Sequence, residues 1–72
     1  MQLTEMELFH VEEQLRSEAL AIAKSLAFAS QSTDPRLQQV YSRAAERHRT
    51  HYETILKNVQ SIAPQGQFQT QY

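Results

Sequence analysis

Two histidines are the residues whose type and spacing are best suited to chemistry. His48 and His51 lie three positions apart, so on a helix their imidazoles project from one face, as a chelating pair requires. Helical periodicity nevertheless calls for apolar side chains at both positions. The predicted inward arc, flanked by Tyr41 and Tyr52, consists of Leu37, Val40, Ala44, His48, His51, Ile55, Val59 and Ile62. Both imidazoles are therefore predicted to point into a helical core.

A carboxylate reaches the same height if the chain folds back on itself near Thr33. With equal rise along two antiparallel helices, residues whose numbers sum to about 67 lie level, which places Glu18 beside His48 and His51. A carboxylate with two imidazoles suits a divalent transition metal such as iron, zinc or manganese. The same three residues also suit a buried polar pair that only fixes the register of the helices. Both interpretations stay open, and Glu12, Tyr41 and Tyr52 are the candidates for supporting contacts.

The first helix is predicted from about residue 4 to residue 31. Thr4 followed by Glu7 is typical of a capping box. Apolar residues then recur at spacings of three and four, which predicts a core stripe. That stripe consists of Leu8, Val11, Leu15, Ala19, Ile22, Leu26 and Ala29, and Phe9, Leu20, Ala23 and Ala27 widen it. An arc this wide predicts neighbours on two sides.

The second helix is predicted from about residue 35 to residue 62. Asp34 is a natural N-cap, and Pro35 suits the first helical position. The short connection makes the helices antiparallel, so residues 1–63 are predicted to form an all-α hairpin that dimerises into a four-helix bundle. Two hairpins related by a two-fold axis would place two carboxylates and four imidazoles at the centre. Residues 64–72 are rich in glutamine, include Phe68 and Tyr72, and are predicted to be a flexible tail.

Composition narrows the functional classes. The 72-residue chain has no cysteine, so disulfides cannot stabilise it, and self-association as a homodimer or higher oligomer is expected. A net charge of −1, with acids and bases interleaved, gives no basic face for nucleic acid. Neither a signal sequence nor an apolar run of about 18 residues is present, so we expect a cytoplasmic protein without membrane contact.

No catalytic constellation is visible in the sequence. It contains no phosphate-binding loop, no cofactor motif and no set of nucleophile, base and oxyanion donors. We therefore predict no catalytic or cofactor-binding residues. An enzymatic role is less favoured than a structural or binding role.

Three stretches carry a family resemblance: residues 18–29, 34–37 and 48–56. The first resembles the helix of rubrerythrin-type proteins whose metal-binding glutamate precedes an aromatic-alanine pair, and the last resembles their Glu-x-x-His helix. These are features of the ferritin-like superfamily. The span from about Leu3 to Val59 is more closely similar to the short spore coat proteins of spore-forming Firmicutes, the coat protein F-like group.

The resemblance implies roles for particular residues. Glu18 matches the metal-binding glutamate of the first helix, and His48 matches the histidine of Glu-x-x-His. Ala45 stands where that motif has its glutamate, and Glu46 is one residue out of register, so a di-iron ferroxidase centre is disfavoured.

Two functions follow from the residues and the resemblance together. The first is a structural, self-associating protein of a spore coat, with itself and other coat proteins as partners. The alternative is a ferritin-like metal-binding protein, with oxidase or storage activity, whose ligands are Glu18, His48 and His51.

Overall fold

The computed structural model describes residues 2–63 and Gly66, and these form a helical hairpin. Helix α1 runs over Glu5–Gln31 and helix α2 over Pro35–Ile62, and the described residues include no strand. The two helices pack against each other in antiparallel orientation. The predicted tail, including Phe68 and Tyr72, lies outside the described residues apart from Gly66.

Helix α1 begins in a capping box. The Thr4 hydroxyl oxygen accepts a hydrogen bond from the Glu7 N–H at 3.1 Å, and the Glu7 carboxylate accepts one from the Thr4 N–H at 2.8 Å. These bonds satisfy donors that the first helical turn leaves free. The Thr4 N–H, with a smaller contribution from the Thr4 hydroxyl, holds the pKa of the Glu7 carboxyl below its ordinary value of 4.5.

The turn between the helices is fixed by its own side chains. The Asp34 carboxylate accepts from the backbone N–H of Arg36 at 2.8 Å, and Pro35 occupies the first helical position. The Arg36 guanidinium contacts the same carboxylate at 2.9 Å and is the larger cause that holds the pKa of Asp34 below 3.8. The Gln38 amide donates to the Ser32 carbonyl at 2.7 Å. Both ends of the three-residue turn are thereby tied down.

The helices meet along a seam with the alternating spacing of three and four that characterises coiled coils. In α1 the residues turned toward α2 are Leu8, Val11, Leu15, Glu18, Ile22, Ser25 and Ala29, and in α2 they are Tyr41, Ala45, His48, Tyr52 and Val59. Leu15 and Ala45 are fully buried, with exposures of 0% and 1%. The small side chains of Ser25 and Ala45 allow close approach of the backbones. We call this set of residues the hairpin seam.

The seam is rotated from the predicted core stripes. In α1, Glu18 and Ser25 are buried where the sequence predicted Ala19 and Leu26, and Leu26 is exposed. In α2, the predicted inward residues Leu37, Val40, His51 and Ile62 are exposed, whereas Tyr41 and Tyr52 from the predicted flank lie in the seam. In both helices the predicted core direction therefore differs from the direction of the seam. One partner helix covers only one side of an arc that wide.

The uncovered side of α2 forms a second apolar stripe. At 100° per residue its members fall within an arc of about 60°, whose mean direction lies about 70° round the helix from the seam. We call this stripe the His51 face; its exposed members are Leu37, Val40, His51 and Ile62, and its other two members, Ala44 and Ile55, are half-buried in the hairpin. Leu37 and Val40 are 48% and 58% exposed. A shallow apolar groove of about 330 Å³ lies on the other side of the hairpin, lined by Ala19, Ile22, Ala23, Leu26 and Tyr52.

Candidate metal centre

The candidate site lies halfway along the hairpin. Glu18 is the middle residue of α1, which spans residues 5–31, and His48 is at the middle of α2, which spans residues 35–62. Glu18 comes from the seam, where its side chain is only 11% exposed. The side chain of His48 is 34% exposed and that of His51 is 52% exposed. The site therefore opens from a buried carboxylate toward the His51 face.

The structure brings the three predicted residues together. His48 Nδ1 lies 2.8 Å from Glu18 Oε2, and His51 Nδ1 lies 3.8 Å from the same oxygen. One ligand atom from each residue lies within 4.8 Å of the others. The two imidazole rings are 6.0 Å apart and nearly perpendicular, at 89°. The sequence predicted this juxtaposition from the equal rise of two helices that turn near Thr33, and the distances confirm it.

The second oxygen of Glu18 has a partner that sequence reasoning missed. The Gln14 amide donates to Glu18 Oε1 at 3.3 Å. The signal was present in the sequence, since residues four apart on a helix are neighbours. Of the residues predicted to support the site, Tyr41 packs its ring on Phe28 with centroids 5.4 Å apart, and Tyr52 lines the groove. Gln14 thus supports the carboxylate through its second oxygen.

The distances fit coordination of a small transition-metal ion. Zinc is bound at about 2.0–2.1 Å by histidine and carboxylate ligands in a tetrahedron, which places ligand atoms about 3.3 Å apart. The separations of 2.8 and 3.8 Å between the imidazole nitrogens and Glu18 Oε2 bracket that value. All three ligand atoms lie within 4.8 Å of one another, so side-chain rotations that shorten the longer separations would bring them to one ion. Carboxylate and imidazole are also the donors that zinc, iron and manganese accept.

The same contacts also satisfy a purely structural role. The hydrogen bond between His48 and Glu18 joins the two helices, and every buried side-chain polar atom in the described part of the chain has a partner. A buried polar pair of this kind fixes the register of packed helices. The geometry alone is compatible with both roles.

A di-iron centre of the ferritin-like type does not fit the site. Ala45 is 1% exposed and lies in the hairpin seam, against α1. The position therefore holds a small buried side chain where the ferritin-like motif carries a bridging carboxylate. A centre that holds two highly charged ions depends on such carboxylates. A single-ion site is the arrangement that these residues support.

No family model, curated protein or solved structure matches this chain. Among the described residues, neither helix combines the length and the hydropathy that a membrane span requires.

Proposed function

We propose that this protein is a structural, self-associating hairpin, in which a second copy covers the His51 face and completes a four-helix bundle. The main observation that supports this proposal is the exposure of apolar side chains on that face. Leu37, Val40 and Ile62 are each about half exposed, although all lie on one side of one helix. Exposed apolar side chains aligned along one side of a helix favour an interaction surface there.

The hairpin by itself buries little apolar surface. Among the described residues only Leu15, Ala45 and Val59 are buried apolar side chains, whereas eight large hydrophobic residues are exposed. A small domain that buries so little apolar surface is only marginally stable alone, and oligomerisation is one way to add stability when disulfides are absent. Covering the His51 face would bury three of these eight residues, Leu37, Val40 and Ile62.

The size and charge of the His51 face suit a second copy of the same chain. The side of the hairpin that carries the His51 face is about 41 Å long and 16 Å wide, so α1 and α2 together present roughly 650 Å² there, and the His51 face is the α2 part of it. Stable interfaces bury about 600–1,000 Å² per partner. No Asp, Glu, Lys or Arg of α2 falls in the arc of this face. A two-fold interface sets identical surfaces against each other, so a face without charge avoids repulsion between like charges.

Light scattering on matched variants tests this interface. We expect the wild-type chain to be a dimer at micromolar concentration and Val40→Glu to be a monomer. Leu20→Glu is the control, because Leu20 is 54% exposed, close to the 58% of Val40, but lies on the side of α1 opposite the seam. That variant should remain a dimer. A monomeric wild type, or the same mass for both variants, would rule out the proposed interface.

The proposed setting is a spore coat or a related sporulation assembly. Its support is the resemblance of residues 3–59 to short spore coat proteins, together with a fold suited to self-association. A fluorescent fusion in a sporulating Firmicute should collect at the surface of the developing spore. Fluorescence spread evenly through the mother cell would contradict this setting.

Metal binding by Glu18, His48 and His51 is the second candidate function. Its support is the convergence of three ligand atoms within 4.8 Å. Zinc added to protein made without a histidine tag should raise the melting temperature in proportion to the logarithm of free zinc, because it binds only the folded state. His48→Ala and His51→Ala should abolish the rise, whereas His10→Ala should keep it. A rise that survives either of the first two variants would exclude this site.

A further inference from the structure

Self-association would bring a second copy of the Glu18, His48 and His51 cluster to the same level along the helices. Glu18 is the midpoint of α1, and His48 is at the midpoint of α2. When two identical hairpins pair face to face without an axial offset, the middle of each lies against the middle of the other. The two clusters then meet at the same level. Packed helices have axes about 8–10 Å apart, a gap that histidine side chains from both copies largely span.

The cluster is also incomplete as a single-chain metal site. It provides three ligand atoms, whereas a closed zinc site takes four. The cluster is open on the side of His51, which belongs to the face proposed to contact the second copy. His51 and the neighbouring residue Asn58 are the two polar residues in the arc of that face. The His51 side chain is 52% exposed in the hairpin, so its imidazole is accessible from that direction.

We infer that the metal centre is shared between two copies, so that binding of a zinc-class ion and assembly of the bundle are one linked equilibrium. This inference rests on the proposed self-association through the His51 face. In the pair, Glu18, His48 and His51 of one copy provide three ligands. The His51 imidazole of the second copy provides the fourth ligand that the single hairpin lacks, so each pair binds one ion. The ion then acts as a cross-link at the centre of the interface.

Thermodynamic linkage between zinc binding and dimerisation determines how each must change the other. If zinc tightens the dimer by some factor, dimerisation must tighten zinc binding by the same factor, because the coupling free energy is reciprocal. Couplings of this kind are commonly 5-fold to 150-fold, and we expect at least about tenfold here. A site contained within one hairpin would give no coupling at all.

Sedimentation equilibrium of the full, tag-free chain, freed of metal by a chelator, tests the inference. The dimer dissociation constant is measured with and without zinc, and zinc affinity is measured by calorimetry. Zinc should lower the wild-type dissociation constant by about tenfold or more. His51→Ala should still dimerise without zinc but lose the response, and His10→Ala should behave as the wild type. Val40→Glu should weaken both dimerisation and zinc binding, although Val40 is not a ligand.

The possible failures are distinguishable. Zinc binding with an unchanged dimer dissociation constant would overturn the shared site and leave a single-chain metal site in place. A wild-type dimer that binds no zinc would overturn both the shared site and the metal-binding candidate, while self-association stands. A wild-type chain that stays monomeric with and without zinc would overturn the self-association on which the inference rests.

Discussion

Truncation of three leucines separates the lone hairpin from the bundle by the size of the stability loss. Leu15 is 0% exposed, so Leu15→Ala should cost about 2–5 kcal/mol in either case. Leu37 and Leu20 are 48% and 54% exposed. Full burial of a leucine side chain contributes about 1.5–3 kcal/mol, so in a lone hairpin each of these two truncations should cost about 1 kcal/mol. In the bundle Leu37 is covered, and Leu37→Ala should then cost about as much as Leu15→Ala.

Urea denaturation followed by far-ultraviolet circular dichroism provides the assay. Each variant is unfolded at two protein concentrations, because the stability of a dimer depends on concentration whereas that of a monomer does not. We expect Leu37→Ala to group with Leu15→Ala, and Leu20→Ala to stay near 1 kcal/mol. Equal costs for Leu37→Ala and Leu20→Ala, with midpoints independent of concentration, would refute the covered His51 face.

Two further predictions concern acid stability and the seam. The folded-state pKa values of Glu7 and Asp34 lie below 4.5 and 3.8, so both carboxylates contribute stability that is complete above those values and is lost as the pH falls through the folded pKa values. The melting temperature should therefore fall on acidification below about pH 4.5, and the double variant Glu7→Gln, Asp34→Asn should flatten that fall; an unchanged profile would show that these caps contribute nothing. Ala45→Leu should cost about 1–3 kcal/mol by overpacking the seam, whereas Ala27→Leu, on an exposed position, should be nearly neutral. Equal unfolding midpoints for these two variants would mean that the seam is misplaced.

Local signals in the sequence specify where the helices begin. The capping box of Thr4 and Glu7 and the pairing of Asp34 with Pro35 act over a few residues, and both are present in the structure. The position of Glu18 beside His48 also follows from simple geometry, since helical rise is nearly constant. These features do not depend on which other surfaces the helices contact.

The rotation of the helices about their own axes could not be predicted in the same way. A helical wheel weighs all apolar residues equally, so it directs the core of α2 toward the exposed residues Leu37 and Val40 and away from the buried residue Ala45. An arc wider than one helix can cover offers more than one contact direction, and the sequence does not say which one the hairpin uses. Gln14 was missed for a related reason, because polar residues at the edge of a seam are usually solvated.

The most direct test of the central claim is small-angle X-ray scattering of the wild-type chain, which reports mass and length together. Face-to-face pairing in register doubles the mass of 8.4 kDa while the long dimension stays close to the 48 Å of one hairpin. We expect that combination. A particle with the mass of one chain, or a dimer markedly longer than one hairpin, would contradict it.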